Sequence, residues 1–218
     1  SGAIVVLLSV SFWIIYQKLE REFVAAQYDD ALAQIETSSG IINRDIDSFS
    51  IKLADWAQWD DSYDFMESHN QDYIDSNLND ESLQSLGVQM ALFLDPDGGV
   101  VYEKQVESLE GSEESVEFPT KYLQEKAVFR EQQKPFAGLI SIDGNIFLLA
   151  VRPIVKSDGS GEPRGTLYFG RQLKQEYFDE IGKISHVQLD MLPAAVASAI
   201  DSEHSDLFME LAQGVRSS

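Results

Sequence analysis

The chain has 218 residues, a formal net charge of −21 from 37 acidic against 16 basic residues, and no cysteine. So acidic a surface repels phosphate backbones, which argues against nucleic acid as a partner, and the missing cysteine excludes a disulfide scaffold, thiol catalysis and thiolate metal sites. Hydrophobic residues make up 44% and aromatic residues 11%, enough for a real core, so the body is globular: one domain with an appendage, or at most two small domains.

Residues 3–16 (AIVVLLSVSFWIIY) carry no charge. The run is shorter than the roughly 20 apolar residues of a full span. A signal-peptide core, a buried core helix and the outer part of a transmembrane helix all compete for it. The last is favoured, because Trp13 and Tyr16 sit where an aromatic belt belongs and Gln17-Lys18 marks the exit into water.

From Gln17 to Phe65 there is no proline and one glycine, Gly40. Apolar residues recur at Tyr28, Leu32, Ile35, Ile42, Ile46, Phe49, Leu53 and Trp56 in steps of four and three, with Ser39 in the one gap. That is a heptad seam. It fits a helix packing along its own domain or a juxtamembrane helix pairing with a second copy; both hold at once if the proximal half pairs and the distal half covers a sheet. Continued past Trp56, the seam lands on Asp60 and then Tyr63, so a carboxylate falls on the core-facing line and needs a partner. Residues 70–86 read as a turn and short helical pieces, with Asn77 and Asn79 as caps or turn residues.

After Gly87 the period changes from helical to alternating. Residues 88–94 and 100–104 predict a hairpin across the turn Asp95-Pro96-Asp97-Gly98-Gly99. That turn lacks the further oxygen ligands and closing glutamate of a calcium loop. Residues 107–117 read as an acidic, solvated loop. Pro119 suits the first position of a helix running to about Gln133. Strands follow at 136–142, 146–156 and 164–171, with tight turns at Asp143-Gly144-Asn145 and across residues 157–163. The near-continuous apolar character of 146–156 implies burial on both faces, with a break at Pro153. A helix at 175–184, a short sixth strand at 186–192 and a helical segment at 193–214 complete the reading.

The fold class is therefore α+β: a long N-terminal helix packed on a roughly five-stranded antiparallel PAS-like or Cache-like sheet, with one helix crossing between the second and third strands. The expected divisions are residues 1–16 as a membrane-helix remnant, 17–54 as the signalling and dimerisation helix, 55–173 as the sensor domain and 174–218 as a C-terminal extension.

Several motifs in order carry a resemblance. They are Asp55-Trp56-Ala57-Gln58-Trp59-Asp60-Asp61-Ser62-Tyr63 with Phe65 after it, Tyr73-Ile74-Asp75-Ser76-Asn77-Leu78, the turn at Asp95-Pro96-Asp97-Gly98, the run from Arg152 to Gly161, and Gly165-Thr166-Leu167-Tyr168-Phe169-Gly170-Arg171. Over residues 30–173 the sequence resembles the fourth CHASE family of extracellular sensory domains in bacterial and archaeal receptors. The resemblance implies a periplasmic or extracellular sensor anchored in the cytoplasmic membrane. Its output would be a cyclic-di-GMP enzyme (diguanylate cyclase or phosphodiesterase) or a histidine kinase, outside this chain. It implies no enzyme activity in the chain and no cofactor. The expected partner is an unknown small molecule or a periplasmic protein, and the expected assembly is a homodimer through the N-terminal helix. The alternative function is a protein-interaction module with a solid core.

The candidate ligand-binding residues are Trp56, Trp59, Asp60, Asp61, Tyr63, Arg152 and Tyr168, with no catalytic or metal-binding residue among them. Asp60 and Asp61 do not suit paired-acid catalysis, because neighbours on a helix diverge by about 100°. Trp56 and Trp59 read as core or as pocket walls. Arg152, on a buried strand, needs an anion. Asp60 or Asp61 is its nearest expectation, and a carboxylate- or phosphate-bearing ligand is the functional one.

Overall fold

The computed structural model describes residues 2–106, 118–125 and 135–189. The expected acidic loop at 107–117, the second half of the helix expected to reach Gln133, and the helical segment at 193–214 lie outside the described residues. Helix α1 (Gly2–Ala57) is a single helix of 56 residues. Gly40 does not interrupt it, since one interior glycine costs only about 1 kcal/mol. Among the described residues no helix is long and apolar enough to cross a membrane. Three short helices follow: α2 (Asp60–Ser68), α3 (Gln71–Asn77) and α4 (Asp80–Leu86). Asn70 and Asn79 cap α3 and α4 by accepting bonds from the amides of Asp72 and Ser82. Asn77 is no cap; it ends α3 and donates its amide to the Tyr73 carbonyl.

Strands β1 (Met90–Leu94), β2 (Val100–Gln105), β3 (Phe136–Ile142), β4 (Asn145–Pro153) and β5 (Thr166–Leu173) form one sheet in the order β2-β1-β5-β4-β3, with every pair antiparallel. Helix α5 (Thr120–Glu125) lies in the connection between β2 and β3, and α6 (Gln175–Ser185) follows β5. The turns form where their chemistry places them. The Asp95 carboxylate accepts from the amides of Asp97 and Gly99, and Asp143-Gly144 takes positive φ at both positions, as a two-residue hairpin requires. The sixth strand expected from His186 does not form across the described residues 186–189. His186 instead takes a left-handed conformation and closes α6, with the Val187 amide bonded back to Gly182. The alternation of HVQL therefore reflects a reverse turn against α6, where Leu189 joins the core.

The sheet is packed on both faces. Phe49, Leu53 and Ala57 of α1 meet Leu148 and Ala150 of β4, Leu167 and Phe169 of β5, and Phe93 of β1. The opposite face holds Met90, Leu92, Leu94, Phe147, Leu149, Val151 and Tyr168 under Phe118 and Leu123. This is why β4 reads as nearly continuous apolar sequence. The seam residues Ile46, Phe49, Leu53 and Trp56 pack on the core as expected, whereas Tyr28, Leu32 and Ile35 are exposed in the single chain.

Candidate functional site

The stretch DWAQWDDSY is an elbow, not a continuous helix. Helix α1 stops at Ala57, whose carbonyl accepts from the Val155 amide. Trp59 is extended (φ −118°, ψ 132°), and α2 begins at Asp60. This break resets the helical phase, so the seam cannot be continued through it. Asp60 is consequently exposed and does not meet Arg152. Its amide donates to Ser157 Oγ at 3.2 Å and its carboxylate accepts from the Ser157 amide at 2.9 Å. Asp61 is exposed as well. Arg152 lies under α1, where its Nη2 donates to Ser50 Oγ at 3.3 Å, and its buried Nε has no protein partner. The expected counter-charge for Arg152 is therefore replaced by a neutral hydroxyl.

The two tryptophans tie the elbow to the sheet. Trp56 stands edge-on to Phe169 of β5 at 5.7 Å and to Trp59 at 6.1 Å. Trp59 continues to Tyr73 at 5.9 Å, Tyr73 stacks on Phe65 at 4.7 Å, and Phe65 meets Phe93 at 5.3 Å. Both tryptophans are partly exposed; both pack on the core, and Trp59 also borders a cleft while Trp56 does not. Tyr63 is buried, and its hydroxyl donates to the Glu162 carbonyl. Tyr168 lies fully buried on the opposite face of the sheet, apart from the other candidates. The candidate set thus divides into three places: the elbow with Trp56, Trp59, Asp60, Asp61 and Tyr63; the α1–β4 contact with Arg152; and the far core with Tyr168.

Two surface clefts flank the elbow. The larger, about 510 Å³, lies between α2 and α3 and is bordered by Trp59, Phe65 and Tyr73, by Asp61, Asp64 and Asp72, and by Asn70 and Asn77. The smaller, about 360 Å³, is bordered by Asp60, Tyr63, Asp64, Lys156, Ser157 and Asp158. Asp64 belongs to both. Among the described residues no basic side chain borders the larger cleft, so it favours cationic groups over anionic ones. Among the described residues no three His, Asp or Glu side chains are grouped to hold a metal ion. The residue that sequence reasoning missed here is Arg164, which spans Tyr63, Asp64 and Glu67. Its one signal was its place beside the Gly165 run that begins the last strand.

Tyr73 provides a titratable marker beneath the larger cleft. Burial raises its pKa from 10.0 to about 12, against the lowering effect of its 2.6 Å hydroxyl contact with Ser62, and the Asp61 charge adds to the rise. A raised folded-state value means the neutral phenol is favoured by folding, so this contribution is full below pH 10 and lost as pH rises towards 12. Stability measured by urea unfolding is expected to fall across that window, and Tyr73→Phe is expected to remove part of the fall. An unchanged slope in the variant would show that other groups carry it.

A 2-1-5-4-3 antiparallel sheet backed by one long N-terminal helix, with an aromatic elbow at that helix's end, is an α+β fold of the PAS-like and Cache-like kind. The chain belongs to the CHASE4 domain family, whose model matches residues 41–192. Over 190 residues it is 26% identical to the methanogenesis regulatory histidine kinase FilI of Methanothrix harundinacea (strain 6Ac), covering 85% of this chain and 20% of that protein. The chain thus spans about a fifth of the length of that curated relative. Among solved structures, it is similar to the sensory domain of the Campylobacter jejuni chemoreceptor Tlp3 (CcmL), at 14% identity and a TM-score of 0.48, covering 77% of this chain and 65% of that one. It is also similar to the periplasmic domain of Vibrio cholerae LuxQ, at 13% identity and a TM-score of 0.46, covering 71% of this chain and 70% of that one. No catalytic domain is evident in the chain.

Proposed function

We propose that this chain is the extracytoplasmic input domain of a membrane receptor. It senses a small molecule or a partner protein at the elbow and passes the change along α1 to a cytoplasmic output. The observation that carries this reading is the course of α1, which is unbroken from the apolar N-terminal run to Trp56, whose ring touches both the sheet at Phe169 and the cleft residue Trp59. A helix of that kind links two ends of a molecule without an intervening joint. The apolar run is the outer part of the membrane anchor, and the domain stands outside the cytoplasmic membrane. The output is a histidine kinase, as in the curated relative, or a cyclic-di-GMP enzyme.

The ligand site is the larger cleft. Its carboxylates and the partly exposed ring of Trp59 suit an amine or other organic cation, which is attracted by charge and by the aromatic quadrupole. The exposed Tyr28, Leu32 and Ile35 continue the same seam that is buried further along α1, and they pair with a second copy in a parallel dimer.

One thermal-shift experiment, run beside sedimentation, tests these points. Polyamines and amino acids are compared with dicarboxylates and sugar phosphates. A true ligand at 100 times its dissociation constant stabilises by about 2.7 kcal/mol, and Trp59→Ala is expected to abolish the shift while the fold persists. Shifts with anions alone would overturn the cleft assignment, and a monomer at high concentration would remove the dimer. The second reading, a protein-interaction module, draws on the sheet faces being filled by side chains. It requires that no metabolite shifts stability and that partner binding falls steeply with salt.

A further inference from the structure

Helix α2 carries four acids in nine residues (Asp60, Asp61, Asp64 and Glu67) and no base. Asp60 and Asp64 are four apart and Asp64 and Glu67 three apart, so like charges are neighbours on its surface. The acids of the first turn suit the positive helix end, but Glu67 sits at the negative one. A helix this short does not stand alone in water. It is held by its buried Tyr63, Phe65 and Met66, and by the loop between β4 and β5.

That loop makes a continuous set of contacts with the elbow. Val155 bonds Ala57, Ser157 and Asp60 bond each other reciprocally, and Glu162 receives the Tyr63 hydroxyl. Arg164 then closes the loop. Its Nη1 donates to the Tyr63 carbonyl at 3.1 Å and reaches Asp64 at 3.3 Å, its Nη2 reaches Glu67 at 3.0 Å, and its guanidinium carbon is 4.0 Å from the centre of the Tyr63 ring. The Arg164 side chain is 33% exposed while both carboxylates are 75% exposed. The contacts are therefore partly solvated and open to screening or competition. Gly159 and Gly161 turn the loop at positive φ, and Asp64, the residue Arg164 holds, also borders both clefts.

We propose that residues 155–164 form a displaceable strap over α2, latched by Arg164, and that releasing the latch loosens α2 and opens the elbow at the end of α1. The latch offsets part of the negative charge of α2 at Asp64 and Glu67, so a cation arriving in either cleft competes with Arg164 for Asp64. Only this last consequence rests on the sensor reading; the latch itself belongs to the ligand-free chain.

The experiment is residue-resolved amide hydrogen exchange on the ligand-free chain. Arg164→Gln is expected to speed exchange of the α2 amides about two- to fivefold, because Asp64 and Glu67 lose their counter-charge while partly solvated, with β4 and β5 unchanged. Arg164→Lys keeps the charge without the fork and falls between. Adding Asp64→Asn and Glu67→Gln to Arg164→Gln removes the repulsion and restores protection. Raising salt on the wild-type chain moves α2 towards the Arg164→Gln rate. Wild-type protection of α2 in Arg164→Gln overturns the latch. So does a triple variant as unprotected as Arg164→Gln, which would make Arg164 a packing residue. A chain that binds no small molecule leaves these outcomes unaffected, so the two readings fail separately.

Discussion

Gly165→Ala is expected to cost the domain about 3–5 kcal/mol, read as a fall in the urea midpoint at constant slope. A Cβ at this position would stand 2.2 Å from the Leu94 carbonyl oxygen and 2.5 Å from Met66 Cε. The methionine end can swing away, but the carbonyl cannot. Leu94 pairs with Thr166 in the β1–β5 ladder, and the Gly165 carbonyl accepts from the Ile154 amide. Relief of the clash therefore means prising the central strand pair apart at the end nearest α2. Gly159→Ala is the control. It has positive φ (+72°) but nothing within 4 Å of its Cβ, and it should lose only about 1–2 kcal/mol. Equal losses at the two positions would show that backbone conformation, and not the close approach, sets the cost.

Phe65→Ala is expected to be as damaging, at about 3–5 kcal/mol. Phe65 is 1% exposed and sits where four rings converge: Tyr73 stacked at 4.7 Å, with Phe93, Tyr102 and His69 edge-on between 5.3 and 6.4 Å. These neighbours come from α3, β1, β2 and the end of α2, so none can collapse into the hole without dragging its own element. Trp59→Ala, at a partly exposed ring, should cost far less. Calorimetric unfolding of the two variants separates them. A Phe65→Ala loss no larger than that of Trp59→Ala would show that the short helices stand independently of the sheet.

The sheet was legible in the sequence because its signals are local. Asp95 to Gly99 and Asp143-Gly144 specify turns through side-chain and φ requirements, and the two-faced burial of β4 is written in IFLLAV. The seam through Phe49, Leu53 and Trp56 was legible for the same reason. What failed was extrapolation across the elbow. Nothing in Gln58-Trp59 announces a break as proline or glycine would, and a single extended residue moved Asp60 from the core line to the surface. The Asp60–Arg152 pair was lost with it, because pairing partners depend on phase as much as on charge. Arg164 carries no local signal of these contacts, because its partners Tyr63 and Asp64 lie about a hundred positions away in sequence. The strand expected at 186–192 does not form over the described residues 186–189, because alternation there also fits a chain folding back on a helix.

The free portion of α1 has a mechanical consequence. Among the α1 residues whose burial is described, from Ser11 on, Ser38 is the first one buried, and its hydroxyl meets that of Ser185. Residues 2–37 therefore project beyond it as a rod of about 54 Å, at 1.5 Å per residue. A rod of that length is a pointer on a dial. A tilt of about 5° at the body, of the order expected when a packed helix shifts, sweeps its far tip through about 5 Å. In the proposed relay, a change too small to see at Trp56 would be magnified, by length alone, into a displacement the width of a helical turn.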